Sequence, residues 1–253
     1  MVHSLSVSFP GLRIISEEHT PDEDNDIEII PIHLTEDNIS DKMYSNIPLG
    51  LEIPLSELTV WVDPLDATKE YSEGLTQFVT TMVCVARNGR PIIGVIHKPF
   101  ISETYWSWNS IHLSDNIMTA LKTRNTSNDS FRTIVSRSHA GDVDHIIKTS
   151  LSADYKKVDV IPAAGSGYKA IEVIEGRADA YIHITLIKKW DICAPNAIFN
   201  TISNAKMTTI YGQTISYNFE DPVANENGLL ATIGDEHKKL VSLLKDNYKQ
   251  RFR

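Results

Sequence analysis

The chain is organised around the stretch VWVDPLDATKEY, residues 60–71. It starts with an apolar run typical of a strand, continues with two carboxylates flanking Pro-Leu, and ends in a helix pattern. Because proline fixes its backbone and forces a turn, Asp63 and Asp66 can converge on one point. Convergent carboxylates suit Mg²⁺, and such a turn also offers the carbonyl of Leu65. Thr68 would then lie at a helix N-terminus, which favours an anion such as phosphate. The competing interpretation is an ordinary Asp-Pro turn before a capped helix.

Composition indicates a soluble globular protein with room for a sizeable core. The chain has 253 residues, of which 42% are hydrophobic and 23% charged. The formal net charge of −9 argues against a nucleic acid polymer as partner, because backbone phosphates are bound through Lys and Arg. A carboxylate-rich site can still capture a small phosphate ester through bound cations. No stretch approaches the length of a membrane span.

The cysteines and sequons bear on the compartment. Cys84 and Cys193 lie far apart in the sequence, so we expect both to be small buried hydrophobic residues without a disulfide or zinc site. Asn-X-Ser/Thr sequons begin at Asn38, Asn125 and Asn128 and are compatible with passage through the secretory lumen.

Apolar periodicity and turn residues divide the chain into two halves. Asn88-Gly89 between apolar runs predicts a β-hairpin. Residues 1–10 read as a frayed lead-in, 21–45 as an acidic loop, and 115–130 as a polar boundary. The predicted strands are 12–15, 59–62, 78–86, 91–96, 104–108, 131–136, 156–161, 178–183, 208–211 and 228–233. One helix is predicted to begin at Thr68, and others are predicted at 142–151 and 235–248. A further helix is predicted to begin in the stretch AAGSGYK, residues 163–169, and to run through residue 175.

Two further acids lie at the ends of predicted elements. Glu17 and Glu18 follow the first strand, and Asp191 lies in the stretch KKWDICAPNA, residues 188–197. Taken alone, acids after a strand are usually solvated, and an acid at the start of a helix is usually a cap or a first-turn residue.

The motifs resemble those of a known family. DPLDAT resembles the signature Asp-Pro-(Leu/Ile/Met)-Asp-(Gly/Ser/Ala)-Thr of the inositol monophosphatase superfamily, and WDICA resembles its C-terminal signature. The extension WVDPLDATKEY looks most like the branch acting on 3′-phosphoadenosine 5′-phosphate (PAP). The resemblance implies an α/β (α+β) fold, a layered αβαβα sandwich of the inositol monophosphatase/fructose bisphosphatase type. It also implies two or three Mg²⁺ ions held by Glu17, Asp63, Leu65, Asp66 and Asp191, with Glu18 as the alternative to Glu17.

The same resemblance assigns further roles. Thr68 and Glu17 would position the attacking water, and cations would activate that water and stabilise the departing ribose oxygen. Substrate contacts map to Ser136, His139, Gly165 and Lys169. The residues themselves leave structural alternatives open: Gly165 can serve only to allow a tight turn, and Lys169 can be a solvated helix residue.

The sequence also departs from the family pattern. Relatives carry two helices and a further catalytic Asp before the Glu-Glu strand, whereas only 16 residues precede Glu17 here. We therefore expect the first helical layer and that Asp to be missing. Pro195 stands where the family usually has glycine, and residues 203–205 replace paired glycines. Reduced activity is one expected consequence.

The resulting hypothesis is one phosphatase unit with an N-terminal metal-binding half, residues 1–130, and a C-terminal nucleotide-contacting half, residues 131–253. It predicts Mg²⁺-dependent, lithium-sensitive hydrolysis of PAP to AMP and phosphate. The alternatives are an inositol monophosphatase-like sugar phosphatase and a truncated, inactive binding protein. The resemblance implies a nucleotide bisphosphate substrate, a possible homodimer, and the Golgi lumen, with the cytoplasm as the alternative compartment.

Overall fold

The computed structural model describes residues 1–18, 52–109, 111–124, 130–137, 140–152 and 154–251. The acidic loop, the sequons at Asn38, Asn125 and Asn128, and the proposed substrate residue His139 lie outside the described residues.

The first half of the chain forms a six-stranded sheet in the order β1-β2-β3-β4-β5-β6. β1 runs parallel to β2, and the remaining neighbours are antiparallel. At the β3–β4 turn, Asn88 and Gly89 adopt positive φ angles of 48° and 77°, as a tight hairpin requires. The elements are α1 (Val2–Ser8), β1 (Arg13–Ser16), β2 (Leu58–Asp66), α2 (Thr68–Ser72), β3 (Thr80–Arg87), β4 (Arg90–Lys98), β5 (Glu103–Trp108), β6 (His112–Leu113) and α3 (Asp115–Thr123).

The second half forms a five-stranded sheet in the order β11-β13-β9-β7-β8, together with a two-stranded β10-β12 pair. β7 is parallel to both β8 and β9. The elements are β7 (Ser130–Ser136), α4 (Ala140–Leu151), β8 (Lys157–Ala163), α5 (Ser166–Ile174), β9 (Ala180–His183), β10 (Ile187–Lys188), α6 (Lys189–Thr201), β11 (Ala205–Thr208), β12 (Ala224–Asn225), β13 (Leu229–Ile233) and α7 (His237–Arg251).

The layers alternate between sheets and helices. α5 and α6 lie between the two sheets, whereas α4 and α7 pack on the other face of the second sheet. The fold is therefore a mixed α/β sandwich, as expected from the sequence. Gly94 of β4 allows the closest approach of α6, because a Cβ there would lie 2.3 Å from the carbonyl oxygen of Ala194.

The apolar residues of these layers form two cores. The larger core fills the space around α5 and α6 and includes Trp61, Met82, Ile171 and Phe199. The smaller core lies between the second sheet and the outer pair α4 and α7. Burial of this apolar surface is the main stabilising contribution to the sandwich.

Several predictions from sequence differ from the structure. The lead-in is the helix α1, and the polar boundary contains the helix α3. The strand expected at 208–211 lies earlier, as β11. The prediction that the cysteines are unpaired is wrong: Cys84 of β3 and Cys193 of α6 are both buried, but they form a disulfide across the sheet–helix interface. Their separation of 109 residues concealed a pairing that exists only once α6 lies on the first sheet.

Candidate metal and phosphate site

Asp63 and Asp66 lie at the C-terminal end of β2, where a bulge interrupts the strand. Asp63 pairs with Met82 and Asp66 pairs with Thr80, and the register shifts between these two pairs. Pro64 lacks an N–H group and cannot continue the ladder, so the strand bulges here rather than ending at Asp63. The bulge brings the carboxylates close enough to interact electrostatically. The convergence of their oxygens on one ion stays a prediction.

The chain turns from β2 into α2 immediately after this bulge. Ala67 has a left-handed φ of 66°, and Thr68 is the first helical residue, as predicted. The Thr68 hydroxyl donates a hydrogen bond of 2.8 Å to the Leu65 carbonyl. This bond fixes Thr68 beside the two aspartates and leaves the lone pairs of its oxygen available as acceptors.

Glu17 joins the site through the parallel pairing of β1 and β2. Ser16 pairs with Val62, and the Glu17 N–H continues this pattern by donating to the Val62 carbonyl. Glu17 therefore follows the end of its strand beside the strand that carries Asp63, and it is exposed. Partial burial raises the pKa of Glu17, and repulsion from Asp66 adds to the rise.

Asp63 is the most deeply buried of the acids and is fully inaccessible to solvent. Its Oδ1 accepts a hydrogen bond of 3.1 Å from the Leu65 N–H, whereas its Oδ2 has no partner among the described residues. Burial, followed by repulsion from Asp66, Asp191 and Glu17, raises the pKa of Asp63 to about 10. A buried carboxylate oxygen with no donor and three acidic neighbours calls for a bound cation.

Asp66 is held between the two halves of the chain. Its Oδ2 accepts hydrogen bonds of 2.9 Å from both the Thr80 hydroxyl and the Gly167 N–H. Burial raises the pKa of Asp66, while the ammonium of Lys169 and these donors oppose the rise. Thr80 and Gly167 are functional neighbours that sequence reasoning missed. Only Gly167 could have been found from the local sequence, because it lies two residues after Gly165 in the same turn.

Asp191 enters the site from the first turn of α6. Burial and repulsion from Asp66 and Glu17 raise its pKa to about 8, and Lys169 opposes the rise. Pro195, the departure from the family pattern noted above, lies inside the same helix. It has no N–H to donate to the Asp191 carbonyl, so the start of α6 lacks that helical hydrogen bond.

Lys169 supplies a buried positive charge among the acids. Its side chain on α5 is only 4% exposed, and its Nζ lies 5.2 Å from the ring centroid of Tyr181. Burial lowers the pKa of Lys169 to about 8, and Asp66 and Asp191 oppose this fall. The alternative of a solvated helix residue is therefore wrong. The lysine offsets part of the acidic charge, which it cannot balance alone.

Gly165 is required by the backbone, in agreement with the tight-turn interpretation. Its φ is 67°, and an added Cβ would lie 2.4 Å from the Phe78 carbonyl oxygen and 3.2 Å from Asp66 Oδ2. This close approach lets the N-terminus of α5 reach Asp66.

Two adjoining cavities open beside the carboxylates. One, of about 230 Å³, is lined by Asp66, Asp191 and Lys169, and the other, of about 420 Å³, by Lys69 and Arg137. Ser136, Gly165 and Lys169 line both cavities. Three of the four residues proposed to contact substrate are thus brought together.

Within the described ranges, no group of three or more His, Cys, Asp or Glu side chains is arranged to hold a metal ion. The chemistry nevertheless fits a hard cation, because Asp63 Oδ2 is unpartnered and the surrounding oxygens are anionic. The metal-ligand set stays a prediction.

The comparisons with known proteins place the chain in a family of phosphatases. The chain belongs to the inositol monophosphatase family, whose model matches residues 1–248. Members of this family generally depend on Mg²⁺.

Two similar relatives have been named. The chain is 42% identical over 252 residues to inositol monophosphatase 3 of Xenopus laevis, covering 96% of this chain and 67% of that protein. It is 41% identical over 253 residues to the Golgi-resident adenosine 3′,5′-bisphosphate 3′-phosphatase of Mus musculus, and the match covers 97% of this chain and 66% of that protein. The chain thus spans about two thirds of the length of each.

Solved structures share the fold. Inositol monophosphatase II from Staphylococcus aureus superposes with a TM-score of 0.68 at 14% identity, covering 99% of this chain and 80% of that one. CysQ from Bacteroides thetaiotaomicron superposes with a TM-score of 0.63 at 20% identity, and the match covers 91% of this chain and 80% of that one. None of the described helices is long and apolar enough to cross a membrane.

Proposed function

We propose that this chain is a Mg²⁺-dependent phosphatase that hydrolyses the 3′-phosphate of PAP to AMP and phosphate. The observation that carries the proposal is the orphaned Oδ2 of Asp63, buried among acids from distant parts of the chain, two of which, Asp66 and Asp191, line an open cavity. The named 3′-phosphatase relative from mouse supports the choice of substrate.

The residues that would hold the ions are Glu17, Asp63, Asp66, Asp191 and the carbonyl of Leu65. When bound, magnesium ions supply positive charge that polarises the phosphate and acidifies water. Their charge also favours the ionised carboxylates, which burial and mutual repulsion disfavour.

Thr68 and Glu17 are suited to orient the attacking water. The Thr68 hydroxyl proton is committed to the Leu65 carbonyl, so its oxygen can accept a hydrogen bond from water. Glu17 is exposed just after the end of β1, and its carboxylate can accept the second hydrogen bond. Together these acceptors fix the direction in which the water oxygen points.

The remaining substrate contacts would come from the second half of the chain. The Lys169 ammonium and the Ser136 side chain line both cavities and can contact an anionic ligand there. Lys69, Arg137 and Glu70 line the larger cavity. Arg137 is paired with Glu70 at 3.4 Å, so a second phosphate group would compete with this carboxylate for the guanidinium.

The disulfide supports the lumen as the compartment. Disulfides persist in oxidising compartments and are rare in the cytosol. The Cys84–Cys193 bond therefore favours the Golgi lumen over the cytoplasmic alternative.

Phosphate release tests the proposal. We would measure release from PAP and from inositol 1-phosphate, with and without Mg²⁺, for the chain, for Asp63→Asn, and for the exposed control Asp235→Asn. We expect Mg²⁺-dependent release from PAP that falls at least about a hundredfold in Asp63→Asn and is unchanged in the control. Release from PAP that survives Asp63→Asn would refute the metal role.

Two other candidate functions have specific support. The Xenopus relative named inositol monophosphatase 3 favours a sugar phosphatase, which predicts faster release from inositol 1-phosphate. The absence of a ready three-carboxylate cluster within the described ranges favours a binding protein, which predicts no release from either substrate.

A further inference from the structure

A further cavity lies away from the carboxylates. It has a volume of about 700 Å³, within the range of small-molecule pockets. It is bordered by the β3–β4 hairpin, the C-terminal half of α6, β11 and the start of α7. We call it the hairpin cavity. None of its described lining residues lines the two cavities beside the carboxylates.

The rim of the hairpin cavity is positively charged. Arg90, Lys206 and Lys238 line it, and no Asp or Glu is among its described lining residues. This bias is notable because the chain contains 33 Asp and Glu against 24 Lys and Arg. Within the part of the chain that the structure describes, none of the three cations forms an ion pair. The rim therefore attracts an anion.

The cavity also contains an unsatisfied buried polar group. Asn196 is only 2% exposed, and its Nδ2 donates a hydrogen bond of 2.9 Å to the Tyr217 hydroxyl. Its Oδ1 has no hydrogen-bond partner among the described residues. Leaving such an oxygen unpaired costs about 1–3 kcal/mol, so a ligand that donates to it is favoured.

The rest of the wall is fixed and partly apolar. His237 contacts Thr208 and Thr232 at 2.9 and 2.8 Å through its two ring nitrogens. Burial, together with the charge of Lys206, lowers the pKa of His237 to about 4, so the ring is neutral at neutral pH. The ring of Tyr211 and the side chain of Ile215 complete a surface suited to a flat ring.

We propose that the hairpin cavity binds a nucleotide-sized phosphate ester without a divalent cation. The rim cations hold the phosphate, Asn196 accepts a hydrogen bond from the base, and Tyr211 contacts the base. This site is separate from the carboxylate pocket, since Asn196 and Asn200 lie five and nine residues beyond Asp191, about 7–14 Å further along α6.

The test uses AMP as the probe, in EDTA and in an Asp63→Asn background, so that the carboxylate pocket does not contribute. Binding is measured by titration calorimetry, with inorganic phosphate as a second probe. We compare Lys206→Glu and Lys238→Glu with Lys122→Glu, an exposed control on α3. We expect one AMP site, weakened about tenfold or more by either rim variant and unchanged by the control.

Asn196→Leu tests the hydrogen bond to the base. It should weaken AMP binding and leave phosphate binding unchanged, and a thermal unfolding curve establishes that the variant folds. No AMP binding, AMP binding insensitive to both rim variants, or phosphate binding as tightly as AMP would each overturn the proposal. Phosphatase activity does not enter the readout, so failure here is distinct from failure of the proposed function.

Discussion

Reduction of the Cys84–Cys193 disulfide is expected to lower the free energy of unfolding by several kcal/mol. The bond closes a loop of 109 residues between β3 and α6. In the chain-entropy model, a loop of about 100 residues contributes about 4.7 kcal/mol at 25 °C. This is a large fraction of the roughly 5–15 kcal/mol that stabilises a typical domain. For a chain of this size it corresponds to a fall in Tm of about 10–15 °C.

The assay compares urea unfolding of the oxidised and the reduced chain, with thiol titration of the denatured protein as a covalent check. Cys84→Ala/Cys193→Ala is the matched control, because a reductant should leave its unfolding curve unchanged. Reduction should also raise the Mg²⁺ concentration needed for activity, since Cys193 lies two residues after Asp191. Two titratable thiols in the unreduced denatured chain, or a change below about 1 kcal/mol, would refute the reasoning.

Three further predictions concern the site. Gly165→Ala should lower Tm more than Gly74→Ala. Both glycines have positive φ, but only at Gly165 would the added Cβ lie close to a backbone oxygen, at 2.4 Å. An equal fall in Tm for the two variants would contradict this. Thr80→Val should lower Mg²⁺ affinity in calorimetry, because it removes a 2.9 Å hydrogen bond to a carboxylate, worth about 1.5–3 kcal/mol. In EDTA, the contribution of Asp191 should make Tm fall as the pH rises from about 4 to about 8 and then level off. Burial raises the pKa of Asp191 from 3.8 to about 8, so over this interval the folded chain keeps a proton that the unfolded chain has released. Asp191→Asn should flatten this slope, and an unchanged slope would contradict the assignment.

The local parts of the fold and site could be predicted from sequence. The turn at the end of β2 is specified by adjacent residues, because Pro64 interrupts the strand pairing between two aspartates and Thr68 begins the helix. The hairpin at Asn88-Gly89 is likewise fixed by two adjacent residues that accept positive φ.

Features that depend on long-range packing were accessible only through family resemblance or not at all. Glu17 and Asp191 come near enough to interact electrostatically with the aspartates because of a parallel strand register and the placement of α6. The disulfide and the burial of Lys169 arise when α5 and α6 pack between the two sheets. Neither the disulfide nor the burial of Lys169 can be predicted from the hydrophobic periodicity of a single segment.

The central claim is that remote carboxylates form one site for divalent cations. Titration of the metal-free chain with Mn²⁺, followed by electron paramagnetic resonance of the free ion, tests it most directly. We expect two or three bound ions in the chain and the loss of at least one in both Asp63→Asn and Asp191→Asn, with Asp235→Asn unchanged. A chain that binds no Mn²⁺, or variants that bind as the parent does, would contradict the account.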